Sequence, residues 1–473
     1  MSDRAVYLLA VVTGLGAVVA VAVHPLIGVA LLLLGLGRRR ATLVILACGL
    51  LASSLSARAE EGAQSLRARR FTGWVTLLDD PAPAPGGVKV VVRIDGRHVE
   101  AWAQGVAAFE VGRRLAGEQL AVSGVIRPVP EARRRRDAHR HVVGRLAIGV
   151  VHGAGSGSPL HRTANWLHRT LARGARSLPL SERGLYLGFV VGDTRLLGVD
   201  TAALFQRVGL THLLAVSGAN VAFVLAAAAP LLRRLRMRGR ALGALAVIGF
   251  FATVTRFEPS VLRASAMAAL AVLAQASGRP ASGLRLLALA TTALVILDPF
   301  LVWSIGFRLS VGASLGILAL AAPIGRRCPG PRWLAEPLSV TAAAQIGVAP
   351  VAIPVFGGLP VAALPANLLV APVVGPLMMW GLVAGTIAGA LGERAAGVLH
   401  VPTHLLISWV RLVARGTDAL PSASIGAPAA TASAAVVLVV IAVRWRRLRR
   451  RLGSPPWRSS SATPASTSRL GRS

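Results

Sequence analysis

Gly209-Leu210-Thr211-His212-Leu213-Leu214-Ala215-Val216-Ser217-Gly218-Ala219-Asn220 sets a histidine, a serine and an asparagine inside a run that is otherwise apolar from Val208 to Ala229. Polar side chains and glycines at membrane depth are costly unless they face a bundle interior or a water-filled path. The stretch therefore predicts a helical membrane bundle with a polar seam. Ser217 and Asn220, three apart, share a helix face. His212 lies roughly 140° away, so a straight helix does not support a Ser–His catalytic pair. Two readings stay open: interhelical hydrogen bonding and lining of a channel.

Working outward, apolar runs recur through most of the 473 residues, 54% of which are hydrophobic and only 15% charged. Mean hydropathy is +0.62. This excludes a large soluble enzyme and predicts a polytopic α-helical membrane protein of about 12 spans. The first three are Ala5 to Val23, Pro25 to Leu36 and Ala41 to about Leu55, with Arg38-Arg39-Arg40 holding the second link in the cytoplasm. A second block begins near Val208. Its spans are expected over 241–255, 260–276, 283–301, 303–324, 338–356, 361–391, 397–414 and 429–443. The basic loops at 233–240, 279–285, 326–332 and 444–451 all fall on the cytoplasmic side by parity, with both termini inside.

Between these blocks the texture changes. Val88 to Ile94 alternates and Asp95-Gly96 is a hairpin signal. Further strand-like runs follow at 99–102, 119–126 and 144–151. They predict a small β-barrel, OB-like, inserted after the third span and extracytoplasmic by parity. The expected divisions are 1–57 membrane helices, 58–152 β domain, 153–207 amphipathic linker, 208–443 membrane domain and 444–473 disordered basic tail. Within the linker, Leu160, Ala164, Leu167, Leu171 and Ala175 form one side of a helix expected to lie on the outer surface.

Net charge is +33, and Lys89 is the only lysine. Arg93, Arg97, Arg113, Arg114 and the run Arg133-Arg134-Arg135-Arg136 sit in the β domain, where they cannot be positive-inside signals. They form either a solvated surface facing the anionic envelope or a nucleic-acid receptor, with Trp74 and Trp102 as stacking platforms or core residues. Arg256, Glu258 and Arg263 surround an external turn. Glu258 neutralising one arginine would leave the other to offer a fork suited to phosphate oxygens. Arg308, deep in an apolar run, is expected to face a pore or pair with Asp298. Asn367, between Pro365 and Pro372, fits an interrupted helix lining a cavity or a plain kink cap. His400 and His404 share a face without a third ligand, so packing is expected. Cys48 and Cys328 form neither a disulfide nor a metal site, and no cofactor is expected.

The motifs resemble the ComEC family, the inner-membrane channel of bacterial DNA uptake. They are Gly192-Asp193-Thr194-Arg195, Phe205, Gly209 to Gly218, Pro259-Ser260-Val261-Leu262-Arg263-Ala264, Asp298-Pro299, Gly306-Phe307-Arg308-Leu309-Ser310 and Leu364-Pro365-Ala366-Asn367-Leu368-Leu369. In the β domain the resemblance rests on Ala116-Gly117-Glu118, Val122-Ser123-Gly124 and His141 to Leu146. Many members have histidine where Asn220 stands and glutamine where Arg308 stands. The resemblance implies a cell-membrane channel for single-stranded DNA. Its implied partners are a competence DNA receptor, a cytoplasmic ATP-driven motor, a separate nuclease and a second copy of the chain. Many relatives continue into a metallo-β-lactamase-like domain; no such ligand set occurs here, so no enzymatic activity is expected. No Walker-type GxxxxGK[ST] occurs either. The competing reading is a permease for another anionic solute or envelope precursor. A third is a scaffold whose membrane part only anchors the β domain, against which the polar interruptions of the helices argue.

Overall fold

The computed structural model describes residues 2–62, 64–130, 140–214, 218–420 and 424–425. Three antiparallel helices open the chain: α1 (Asp3–Val19), α2 (Pro25–Gly37) and α3 (Ala41–Gly62). Gly16 and Gly49 let α1 and α3 touch, since a Cβ on Gly16 would lie 2.2 Å from the Gly49 carbonyl oxygen. Such contacts between small residues replace the hydrophobic effect as the packing force between helices in lipid.

The β domain comprises β1 (Arg69–Leu77), β2 (Ala82–Ala84), β3 (Gly87–Ile94), β4 (Arg97–Ala103), a helix α4 (Gly105–Gly112), β5 (Gln119–Arg127) and β6 (Val142–Gly155). Strand order is β1-β5-β6-β4-β3-β2, and β1 pairs back onto β3, placing Thr76 opposite Arg93 and Leu77 opposite Val92. Five strands thus close on themselves, with β2 an extra hairpin arm. Among the described strands of this sheet, only β4 and β6 pair in parallel. Asp95 and Gly96 are both left-handed, at φ 49° and 79°, the geometry a two-residue hairpin between β3 and β4 requires. Val90, Val92, Val99, Leu120, Val122, Ile126 and Leu146 fill the interior. Burying each such side chain stabilises the barrel by about 2 kcal/mol.

The remaining helices are α5 (Pro159–Gly174), α6 (Leu180–Val191), α7 (Val199–Arg207), α8 (Gly218–Leu232), α9 (Met237–Val254), α10 (Pro259–Ala276), α11 (Gly283–Leu297), α12 (Ile305–Gly325), α13 (Arg332–Phe356), α14 (Ala363–Leu391), α15 (Glu393–Leu399) and α16 (Val401–Asp418). On α14, Gly381, Gly385 and Gly389 repeat every fourth residue. A Cβ on Gly389 would sit 2.0 Å from the Thr170 carbonyl oxygen of α5. The Tyr186 hydroxyl enters the same stripe and donates to the Gly381 carbonyl at 2.7 Å. Gly312, Gly316 and Gly347 seat α12 against α13 in the same way.

Among the described residues, seven segments are long and apolar enough to cross a membrane, or eight if α15 and α16, bent by 52°, count as one. This makes the chain a multi-pass membrane protein, with fewer full-length spans than the twelve expected. Two expected spans, α2 and α11, are shorter apolar helices of 13 and 15 residues. At 1.5 Å per residue they reach roughly 20 Å, less than the hydrocarbon core. The expected span at 429–443 lies outside the described residues. α5 also departs from expectation. It is wedged between barrel and bundle, burying Asn165, His168 and Thr170 together with Ala164 and Leu171. Its polar residues find partners there, so the hydrophobic pattern understates the face that packs.

Two contacts show which helix ends meet the barrel. Arg256, just past α9, pairs with Asp80, and His141 donates from Nε2 to Asp298, just past α11, at 3.1 Å. The basic loops after α8, α10 and α12 therefore lie at the opposite end of the bundle.

Candidate functional site

Three separated motifs converge on Arg263. Pro259 starts α10, with Glu258 at the N-cap position, and the next turn carries Arg263 into the bundle, where it is 8% exposed. Its Nε donates to the Ser310 hydroxyl of α12 at 2.8 Å and its Nη1 to the Met267 sulfur at 3.1 Å. Its Nη2 lies 2.7 Å from where a Cβ on Gly218 would stand. Any larger residue at 218 would displace the guanidinium. No carboxylate among the described residues forms an ion pair with Arg263. A buried, unneutralised guanidinium in a membrane domain is expensive and marks a functional position by default. Asn220, 3% exposed, sits on the first turn of α8 beside this node. Ser217 lies outside the described residues.

The other end of the same stretch meets α14. Gly209 is left-handed at φ 71°, and a Cβ there would stand 2.6 Å from that of Ala363. The imidazole of His212, in a short 3-10 turn at Thr211–Leu213, neighbours the Gly209 backbone and the Asn367 side chain. Asn367 donates from Nδ2 to the Ala363 carbonyl at 2.7 Å. The described parts of this stretch thus meet two polar groupings, His212 with Asn367 and Gly218 with Arg263 and Ser310.

Other positions fall elsewhere. Arg308 is exposed, and Asp298, its expected partner, is taken by His141 and by the Phe300 amide at 3.0 Å. Arg308 and Ser310 lie roughly 200° apart on the helix, so only Ser310 reaches the Arg263 node. Arg256 and Arg263 do not share a cluster: one turns outward to the barrel and the other inward. His404 bonds buried Glu182 at 2.8 Å, and His400 packs its ring on Tyr186.

A second polar hub joins barrel to bundle and escaped the sequence reading. Arg256 and Phe257 are consecutive left-handed residues, at φ 56° and 55°. This turn aims Arg256 at Asp80, 3.0 Å away, and at the side-chain amide oxygen Oδ1 of Asn165, 2.8 Å away. Asn165 donates in turn to the Ala116 carbonyl and to Glu118, which also pairs with Arg169. Gly117, at φ 84°, lies against His161; a side chain there would strike the imidazole. The Ala116-Gly117-Glu118 motif was the available signal. His168, beneath this hub, bonds the Val254 carbonyl through Nε2 at 2.8 Å. Burial, with nearby Arg256, pushes its pKa below the ordinary 6.5. Asp193 forms a two-point pair with Arg195 at 2.8 and 2.6 Å. Burial alone would raise its pKa, but the Arg195 contacts outweigh it and hold the carboxyl low.

The outward face of β3, β4 and β6 is basic and aromatic. Lys89 stands opposite Trp102 and Arg93 opposite His98. Neither Trp102, half-buried, nor Trp74, 58% exposed, enters the barrel core. Trp102 donates to Glu100 at 3.2 Å, and the Arg145 guanidinium lies 5.6 Å from the centre of its ring system. Arg93 and Arg97 are exposed, and Arg97 joins Arg67 and Arg69 around a cavity of about 300 Å³. The run Arg133 to Arg136 lies outside the described residues.

A family model described as Competence protein matches residues 189–450, more than half of the chain, and spans Arg263, Ser310 and Asn367. ComE operon protein 3 of Bacillus subtilis (strain 168) is 25% identical over 244 residues, 51% of this chain and 31% of that protein. An uncharacterized protein, YcaI, of Escherichia coli (strain K12) is 25% identical over 252 residues, 49% of this chain and 33% of its own. An uncharacterized protein of Aquifex aeolicus (strain VF5) is 34% identical over 137 residues, 29% of this chain and 33% of its own. The matches cover about a third of each relative's length. No solved structure matches.

Proposed function

Because this chain belongs to the Competence protein family, the ComEC family of its motifs, we propose that it conducts single-stranded DNA across the cytoplasmic membrane during natural transformation. The observation that carries the proposal is Arg263, whose guanidinium is buried where Gly218, Ser310 and Met267 meet, with no ion-paired carboxylate among the described residues. Its natural counter-ion is a phosphate passing between α8 and α10, which would separate at the Gly218 contact. His212, Asn220 and Asn367 continue the polar path. Arg308, at the barrel-side end of α12, guards the entrance.

The barrel is OB-like in this reading and faces away from the cytoplasm, with both termini inside. Setting β2 aside, β3 and β4 are its second and third strands, the face such folds use for oligonucleotides. Lys89, Arg93, Arg97 and Trp102 supply phosphate contacts and a stacking surface, joined by Arg133 to Arg136. The chain performs no covalent chemistry in this reading. A cytoplasmic motor would drive the strand, a DNA receptor would deliver it and a separate nuclease would degrade its complement.

The test is uptake of labelled DNA by cells lacking the gene and complemented with the intact protein, Arg263→Gln or Asn220→Leu. Uptake restored by the intact protein alone, with both variants inserted normally, supports the proposal. Full uptake with Arg263→Gln removes the seam from the path. Normal uptake in the null cells favours a permease for another anionic solute.

A further inference from the structure

At the end of the bundle remote from the barrel, α8, α9 and α10 splay around a cavity of about 260 Å³. Its inner wall is apolar, formed by Leu225, Ala229, Ala244 and Val272, and its rim carries Arg233 and Arg240. That volume holds on the order of nine water-sized groups, enough for a phosphate and the first carbons of a chain. The rim belongs to a denser cluster: Arg233, Arg234, Arg236, Arg238 and Arg240 fall within eight positions, and all five are exposed. Among the described residues none of the five pairs with a carboxylate. Arg240 donates instead to the Met237 sulfur at 3.5 Å, which holds its guanidinium at the mouth.

The depth of the site selects its ligand. α9 and α10 are each 18 residues long and meet the barrel at their other ends, through Arg256. They place the arginine rim roughly 27 Å from that junction, about one hydrocarbon thickness away. A cationic rim over an apolar wall at headgroup depth matches one chemistry. We infer that this cavity binds an anionic phospholipid of the inner leaflet, its phosphate between Arg233 and Arg240 and its acyl chain descending along Ala229 and Val272. A nucleic-acid backbone or a free phosphate would satisfy the arginines and leave the wall uncovered. A basic pocket between membrane helices is a recurrent recognition device for such lipids.

The test uses the full chain in lipid vesicles, with spin-labelled phosphatidylglycerol and phosphatidylcholine as probes and the motionally restricted fraction as readout. Phosphatidylglycerol should be retained in preference. Arg233→Gln with Arg240→Gln should lower that preference about thirtyfold, at one arginine's surface contribution each. Arg326→Gln with Arg327→Gln, in another basic loop at the same end, should leave it unchanged. Ala229→Phe, which fills the wall and keeps both charges, should also abolish it, and tests the site even if the arginine pair fails to fold. Equal retention of the two lipids, or full retention by Ala229→Phe, would overturn the inference. So would displacement of phosphatidylglycerol by millimolar inorganic phosphate, which would identify a site for the free anion.

Discussion

Removing the Arg256 head group tests how firmly barrel and bundle are locked together. Asp80 and Arg256 approach to 3.0 Å with side chains only 13% and 11% exposed, so solvent screens the pair little. Deleting one member of a buried pair typically costs 3–5 kcal/mol, because the other charge stays behind unpaired. Asp80 would keep the Ala116 amide at 2.8 Å, which puts Arg256→Gln at the lower end, about 3 kcal/mol. Asp80→Asn should cost a similar amount, since it strands the guanidinium on Asn165 alone. The double variant leaves no uncompensated charge, so the cycle should show a coupling energy of about 3 kcal/mol. Arg256→Gly removes the same head group and relieves a left-handed residue. It should be milder than Arg256→Gln by about 1 kcal/mol. Thermal unfolding of the purified protein in mild detergent, followed by tryptophan fluorescence, measures all four variants. Additivity of the two single changes within about 0.5 kcal/mol would refute the argument.

Acid should loosen the same junction through His168. Its folded pKa lies below 6.5, so the folded state binds fewer protons than the unfolded. Stability must therefore fall as pH drops through 6.5 towards the folded value, and His168→Gln should flatten that slope in melting curves. Gly385→Ala would set a methyl 1.7 Å from the Tyr186 hydroxyl and should cost about 1–3 kcal/mol in the same unfolding assay, with partial recovery in Tyr186→Phe. In oligonucleotide titrations Trp102→Ala should weaken binding by one stacked base, about 1–3 kcal/mol, with little change in salt slope. Arg93→Gln should lower that slope by about 0.7.

The sequence revealed what local pattern encodes. Alternation over Val88 to Ile94 and the Asp95-Gly96 turn marked the β3–β4 hairpin, because period and turn chemistry are short-range properties. The glycines and polar residues of the 209–220 stretch drew attention to positions where Gly209 meets Ala363 and Gly218 meets Arg263 for the same reason. Partners remote in sequence were not legible. Asp298 bonds His141, 157 residues away, and Asp80 meets Arg256 across 176. Nothing in the flanking residues distinguishes those acids from solvated ones. The α5 helix was misplaced because Asn165 and His168 count as polar in any periodicity, although their hydrogen bonds permit burial.

The glycine stripe of α14 also fixes what kinds of length change this chain can survive. Gly381, Gly385 and Gly389 must each arrive opposite a fixed point, Tyr186 or Thr170. One residue inserted between Gly381 and Gly385 would turn everything beyond it by roughly 100° and present side chains where backbone now touches backbone. Four residues inserted together would restore the face to within roughly 40°. Descendants of this chain should therefore vary α14 by whole turns or leave its length alone, while the hairpins of the barrel remain free to lengthen residue by residue.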